Sequence, residues 1–174
     1  MAHTIFTIGH STRHIEEFIS ILQKYGIRQL VDIRTIPKSR RNPQYGEENL
    51  ERSLAEAGIG YIQMKELGGL RPAVKNSENK GWNNQSFRNY EDYMQTDEFR
   101  KGVEDLYEKS KETTTVMMCA EAVPWRCHRR LVGDALLVRG VEVMDIFDEK
   151  NVKPHTLTSF AVVEGDKITY PEGG

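Results

Sequence analysis

The sequence predicts an α/β fold: a three-layer sandwich with a mainly parallel five-stranded sheet, helices on both faces and a C-terminal β-hairpin. Three observations carry that expectation. Short apolar, β-branched runs alternate with segments whose apolar residues recur at helical spacing. Strands separated by helices imply βαβ crossovers, and hence a parallel sheet covered on both sides. Gly26 and Gly58 follow two of the helical segments, where a helix commonly stops.

In chain order, residues 4–9 read as the first strand. Ile15, Phe18, Ile19, Leu22 and Tyr25 then recur at helical spacing, with Ser11 or Thr12 as the N-cap and Gly26 as the stop. Residues 28–34 give a second strand, Leu50, Leu54 and Ala57 a second helix ended by Gly58, and residues 59–64 a third strand. The stretch 65–85, rich in Gly, Asn and Lys, is a long loop of the kind that forms a lid or a binding loop. Phe87, Tyr90, Tyr93 and Met94, then Phe99, Val103 and Leu106, mark one or two helices. The β-branched and apolar run 113–119 is the plainest strand, and a helix over about 126–139 with a fifth strand at 141–147 completes the alternation. Residues 159–163 and 167–170 flank Glu164-Gly165-Asp166 and read as a hairpin appended to the sheet edge. One α/β domain over 1–174 is expected, with 155–174 as that appendage.

The chain has 174 residues, 38% hydrophobic and 29% charged, the composition of an ordinary folded domain large enough to bury its own core. A net charge of −2 excludes a general nucleic-acid coat or a membrane-surface protein and leaves room for a local basic patch. No apolar run approaches a membrane span, no secretory signal is visible, and two cysteines suit a reducing compartment, so a cytoplasmic protein is expected.

In an open parallel sheet, ligands bind outside the carboxyl ends of the strands. The polar residues gather there. Strand one ends in Gly9-His10-Ser11-Thr12-Arg13; strand two in Asp32-Ile33-Arg34 with Lys38, Arg40 and Arg41 following; strand four in Cys119-Ala120-Glu121 with Cys127-His128-Arg129-Arg130 beyond. Each has a plain alternative. Gly9-His10-Ser11 also fits a tight turn, the cations a solvated loop, Asp32 a structural arginine partner, and Cys119 a core position. Cys127, placed near a helix N-terminus among arginines, reads as a reactive or ligating thiol, or as a buried inert one. Glu121 suits a general base or an arginine partner. His10, Cys119, Glu121, Cys127 and His128 include zinc-ligand types, but their spacing matches no common zinc pattern; no metal ligand is assigned and no cofactor is identified.

Gly9-His10-Ser11-Thr12, Leu30-Val31-Asp32-Ile33-Arg34 with Pro37 and Ser39-Arg40, Leu67-Gly68-Gly69, Met118-Cys119-Ala120-Glu121, Cys127-His128-Arg129, Pro154-His155 with Leu157-Thr158, and Ile168-Thr169-Tyr170-Pro171 occur in this order. Together they resemble the domain-of-unknown-function family numbered 488. The resemblance spans nearly the whole chain and implies that these segments form a shared site, without implying an activity. Leu30-Val31-Asp32-Ile33-Arg34 is also similar to the rhodanese strand, and a strand running into Cys119 to the Cys-dependent phosphatase loop. Yet Cys119 and Arg126 enclose one residue more than the phosphatase signature does, and Pro124 supplies no amide hydrogen. Glu121 would repel a phosphate there, at roughly 4 kcal/mol for unit charges about 4 Å apart. Direct phosphatase chemistry at Cys119 is rejected.

The sequence therefore predicts an enzyme acting on an anionic, phosphate-bearing or nucleotide-like substrate. Glu121, Cys127, His128 and His10 would supply the chemistry; Arg13, Arg34, Arg40 and Arg129, with Ser11 and Asp32, would bind the substrate. Trp82 in the 65–85 loop would stack on a planar base. The alternative is a non-catalytic nucleotide or nucleic-acid binding or sensor module. A small anionic ligand or nucleic acid is the expected partner, and a membrane is not.

Overall fold

The computed structural model describes residues 3–171 apart from 74, 76, 78, 80–84, 125–126 and 166. β1 (Thr4–Gly9), β2 (Gln29–Asp32), β3 (Gly60–Gln63), β4 (Thr115–Cys119) and β5 (Glu142–Ile146) run parallel in one sheet. β6 (Val152–Pro154) returns antiparallel on β5, giving the order β3-β2-β4-β1-β5-β6. The expected parallel strands are all present, and β6 is an addition. Three residues ending in proline carry almost no strand signal, and the outer edge of a sheet is where a proline is accommodated.

Helices α1 (Ile15–Lys24) and α2 (Glu47–Glu56) cover one face; α3 (Gln85–Tyr93), α4 (Asp97–Glu112) and α5 (Arg129–Val138) belong to the other. β4 shows why its sequence reads as an unbroken apolar run. Val116 and Met118 pack with Phe18, Leu22 and Leu50 on the α1–α2 side, while Met117 and Cys119 pack with Leu131, Leu136 and Leu106 on the other. A strand buried on both faces loses the polar alternation of a half-solvated one.

Two local expectations are corrected. α1 begins at Ile15 with His14 at its N-cap and no side-chain cap. Ser11 instead occupies the preceding turn at φ +52°, drawn into hydrogen bonding with the β4 loop. The hairpin of β7 (Val162–Glu164) and β8 (Lys167–Thr169) forms a separate two-stranded sheet and does not extend the main edge. Its apolar face goes to the helical layer: Ile168 and Tyr170 are buried in the α3–α5 core, and Gln95 Nε2 donates to the Ile168 carbonyl at 2.6 Å.

Candidate functional site at the strand ends

β4 lies between β1 and β2. The chain leaves β1 and β2 toward α1 and α2, but leaves β4 toward α5 on the opposite face. Neighbouring strand ends that depart in opposite directions leave a crevice between them. Ladder-like hydrogen bonds continue past the strands and fix its walls: His10 N donates to Cys119 O and Ser11 N to Ala120 O at 2.9 Å, and Ile33 N to Met118 O at 3.0 Å. Gly9 permits this closeness, since a Cβ there would stand 1.5 Å from the Glu121 carbonyl oxygen.

Cys119 and Cys127 lie at the floor of a cavity of about 450 Å³, which Arg34, Thr35, Lys38, Gly69, Glu121, His128 and Phe87 also line. Both thiols are free and buried, and they line the same cavity. Arg129, from the first turn of α5, is 1% exposed. It donates through NH1 to Thr7 Oγ1 at 2.7 Å and through NH2 to the Glu121 carbonyl at 3.2 Å, while its Nε has no hydrogen-bond partner among the described residues. Among the described residues no carboxylate pairs with it directly; Asp145 is reached only through the Thr7 hydroxyl, 2.6 Å away. A buried cation without a counter-charge is costly, and its charge acts on the Cys119 thiol as well as on Cys127 and His128. Burial opposes ionisation of that thiol, but the Cys127 hydrogen bond, the Arg129 charge and the Glu121 backbone bring its pKa down to about 7. Cys127 moves the other way, pushed well up by burial and by Cys119 beside it.

His128 Nε2 stands 2.8 Å from the Ile33 carbonyl, so that nitrogen carries the hydrogen and Nδ1 is left as an acceptor, 3.3 Å from Cys127 Sγ. Burial and the Arg129 charge hold the ring neutral, its pKa down at about 4. Gly69 packs on this ring: a Cβ would come within 2.7 Å of Nδ1. His10 is neutral for the same reason, burial lowering it to about 4. Its Nδ1–H is directed to the Ser11 carbonyl at 2.8 Å, which turns Nε2, as acceptor, toward Arg34 NH1 at 3.5 Å. Tyr45 stacks on the ring at 4.2 Å. Arg34 itself is clasped by Asp32, with NH2 to Oδ2 at 2.6 Å and Nε to Oδ1 at 2.9 Å; Asp32 also accepts from Tyr61 at 2.6 Å.

A second cavity of about 390 Å³ adjoins the first, sharing Lys38, Ala120 and Glu121, and is lined by His10, Ser11, Arg40 and Arg41. Lys38, Arg40 and Arg41 are exposed, and none forms a salt bridge among the described residues. Ile36 and Leu70, two of the few large apolar side chains that are exposed (56% and 65%), stand on the wall of the first cavity. Glu121, also exposed, faces both spaces.

A family model described as domain of unknown function DUF488 matches residues 14–136. The chain belongs to this family. No curated protein and no solved structure matches it. The matched stretch runs from the start of α1 to near the end of α5 and holds both cysteines, His128, Arg34 and Glu121; His10, Ser11 and the segment after 136 lie outside it.

Of the residues singled out from sequence, this DUF488 chain brings His10, Ser11, Arg34, Arg40, Glu121, Cys127 and His128 to the two adjoining cavities. The others sit behind them. Asp32 holds Arg34; Arg13 donates to the carbonyls of Gly9 and Phe147 and pairs with Glu17; Arg129 spans Thr7 and Glu121. Cys119, read as core, is at the cavity floor as well as in the core. The parallel register Gly9↔Cys119 puts it beside His10, a placement that needs the strand order. Trp82 and Arg126 fall outside the described residues. Among the described residues, no group of three or more His, Cys, Asp or Glu is arranged to hold a metal ion, and no helix is long and apolar enough to cross a membrane.

Proposed function

We propose that this protein is an enzyme working on a small anionic substrate through the Cys119 thiolate. The observation that carries the reading is the Arg129 guanidinium, buried with no carboxylate partner among the described residues, whose charge acts on a thiol lining a cavity with Arg34 and Lys38. A thiolate at Cys119 is the counter-charge this cation lacks, and a thiolate is the nucleophilic form of cysteine. Arg34, oriented by Asp32 and His10, and the exposed Lys38, Arg40 and Arg41 attract and seat the anion; guanidinium forks suit phosphate and carboxylate. Ser11 lines the same space. Glu121, solvent-facing at the junction, exchanges protons with the substrate, and His128 is the neutral base beside Cys127. Ile36 and Leu70 favour a substrate with an apolar or planar body next to its charge.

Site-resolved alkylation against pH tests this. Cys119 should react with a midpoint near 7, Cys127 far more slowly. Iodoacetate should gain on neutral iodoacetamide relative to a free thiol, and inorganic pyrophosphate should protect. A Cys119 that alkylates only above about pH 8.5, as an ordinary thiol does, would overturn the proposal.

A further inference from the structure

We infer that Cys127 is a resolving thiol, so that Cys119 and Cys127 form a two-cysteine centre that reduces small anionic disulfides. This rests on the Cys119 reading above and gives it a reaction class.

The arrangement has every part such a centre needs. Both cysteines line one solvent-reaching cavity and belong to one packed cluster. They differ in surroundings as the two steps require. The Arg129 charge favours the thiolate at Cys119, the attacking sulfur, while Cys127 keeps its proton and has a base at 3.3 Å, His128 Nδ1. That nitrogen is free to accept because Nε2–H is spent on the Ile33 carbonyl. Gly69 lies against the same ring, where a side chain would have no room. An inert pair of core thiols has no use for a base aimed at one of them. Nor does it need Arg34 and Lys38 on the wall of its cavity, with Arg40 and Arg41 lining the adjoining one, cations that select a disulfide carrying negative charge.

The chemistry closes on the substrate alone. The Cys119 thiolate attacks one sulfur of the disulfide, forming a mixed disulfide and expelling the first thiolate. Cys127 attacks Cys119 Sγ while giving up its proton through His128 Nδ1 in the same step. The Cys119–Cys127 disulfide forms as the second substrate thiolate leaves, taking the proton from His128. The substrate gains two electrons and the dithiol loses them. Turnover then requires an external thiol reductant. Exchange of this kind depends on the thiolate fraction of the attacking sulfur and on access to it.

The test uses the reduced full-length protein with glutathione disulfide and intact-mass detection. The wild type should release two equivalents of glutathione and lose two hydrogens, carrying no adduct. Cys127→Ser should stop with one glutathione on Cys119, and Cys119→Ser should react at least about a hundredfold more slowly. Neutral bis(2-hydroxyethyl) disulfide should react about tenfold more slowly than glutathione disulfide. The paired change Lys38→Ala and Arg40→Ala should erase that preference. A wild type that keeps glutathione on Cys119 while Cys127 remains alkylatable would overturn the resolving role and leave the Cys119 proposal intact. If Cys119 takes no adduct in the native wild type or Cys127→Ser, yet does so after denaturation, both readings fall. Cys127→Ala, checked by circular dichroism, supplies a folded control should the serine variant unfold.

Discussion

His155 is buried between two carboxylates. Its Nδ1 stands 2.9 Å from Asp145 Oδ2 and its Nε2 3.0 Å from Asp134 Oδ1. Asp134 also accepts from the Tyr170 hydroxyl at 3.0 Å and from Thr158 N at 3.3 Å, and Asp145 from Thr7. Burial disfavours the imidazolium, but its hydrogen bonds to Asp134 and Asp145 win and raise its pKa from 6.5 to about 9. At about 1.4 kcal/mol per pH unit, that rise is worth about 3 kcal/mol of preference for the charged ring in the folded chain. The folded value lies above the unfolded one. The contribution is therefore complete below about pH 6.5, shrinks as pH rises and is lost through about pH 9. Urea denaturation of the wild type and His155→Gln at about pH 6, 7.5 and 9.5 measures it. The difference between the two proteins should fall by about 3 kcal/mol across that range. Glu91, on α3, is also raised to about 9, chiefly by burial; both proteins share it, so it cancels in the difference. A difference that stays level with pH would refute a charged His155.

Gly9→Ala forces a methyl group onto the Glu121 carbonyl and should cost about 3 kcal/mol or more, with loss of the fast alkylation at Cys119. Near-wild-type urea unfolding and thiol reactivity would mean that the β4–α5 loop has slack. Asp32→Asn leaves the buried Arg34 charge unmatched and should destabilise by about 3 kcal/mol. Tyr61→Phe, which removes one hydrogen bond to the same carboxylate, should cost only about 1 kcal/mol in the same assay.

Much of this architecture is readable from local pattern. Each parallel strand is a short apolar run closed by a turn, and the polar clusters after β1, β2 and β4 are visible as sequence. Their meeting follows from a general property of parallel sheets. What local pattern does not carry is neighbourhood. Cys119 looks like core because it is core on one side; only the alignment of β4 between β1 and β2 reveals that its sulfur also reaches the crevice. Arg13 and Arg129 are arginines in polar stretches, indistinguishable by composition from Arg40. The difference is long-range: Arg13 reaches the Phe147 carbonyl and Arg129 reaches Thr7. β6 escapes notice because three residues are too few to show a period.

The clasp around Asp134 has a bearing on how the molecule assembles. Among the described residues, the hydrogen-bond donors to this fully buried carboxylate come from later in the chain: His155, Thr158 and Tyr170. Without those partners the apolar face of α5 would pack on the sheet only at the cost of burying an unsatisfied acid. Arg129 sits at the start of that same helix. The tail that closes over α5 therefore also helps to seat Arg129, whose NH1 donates to Thr7.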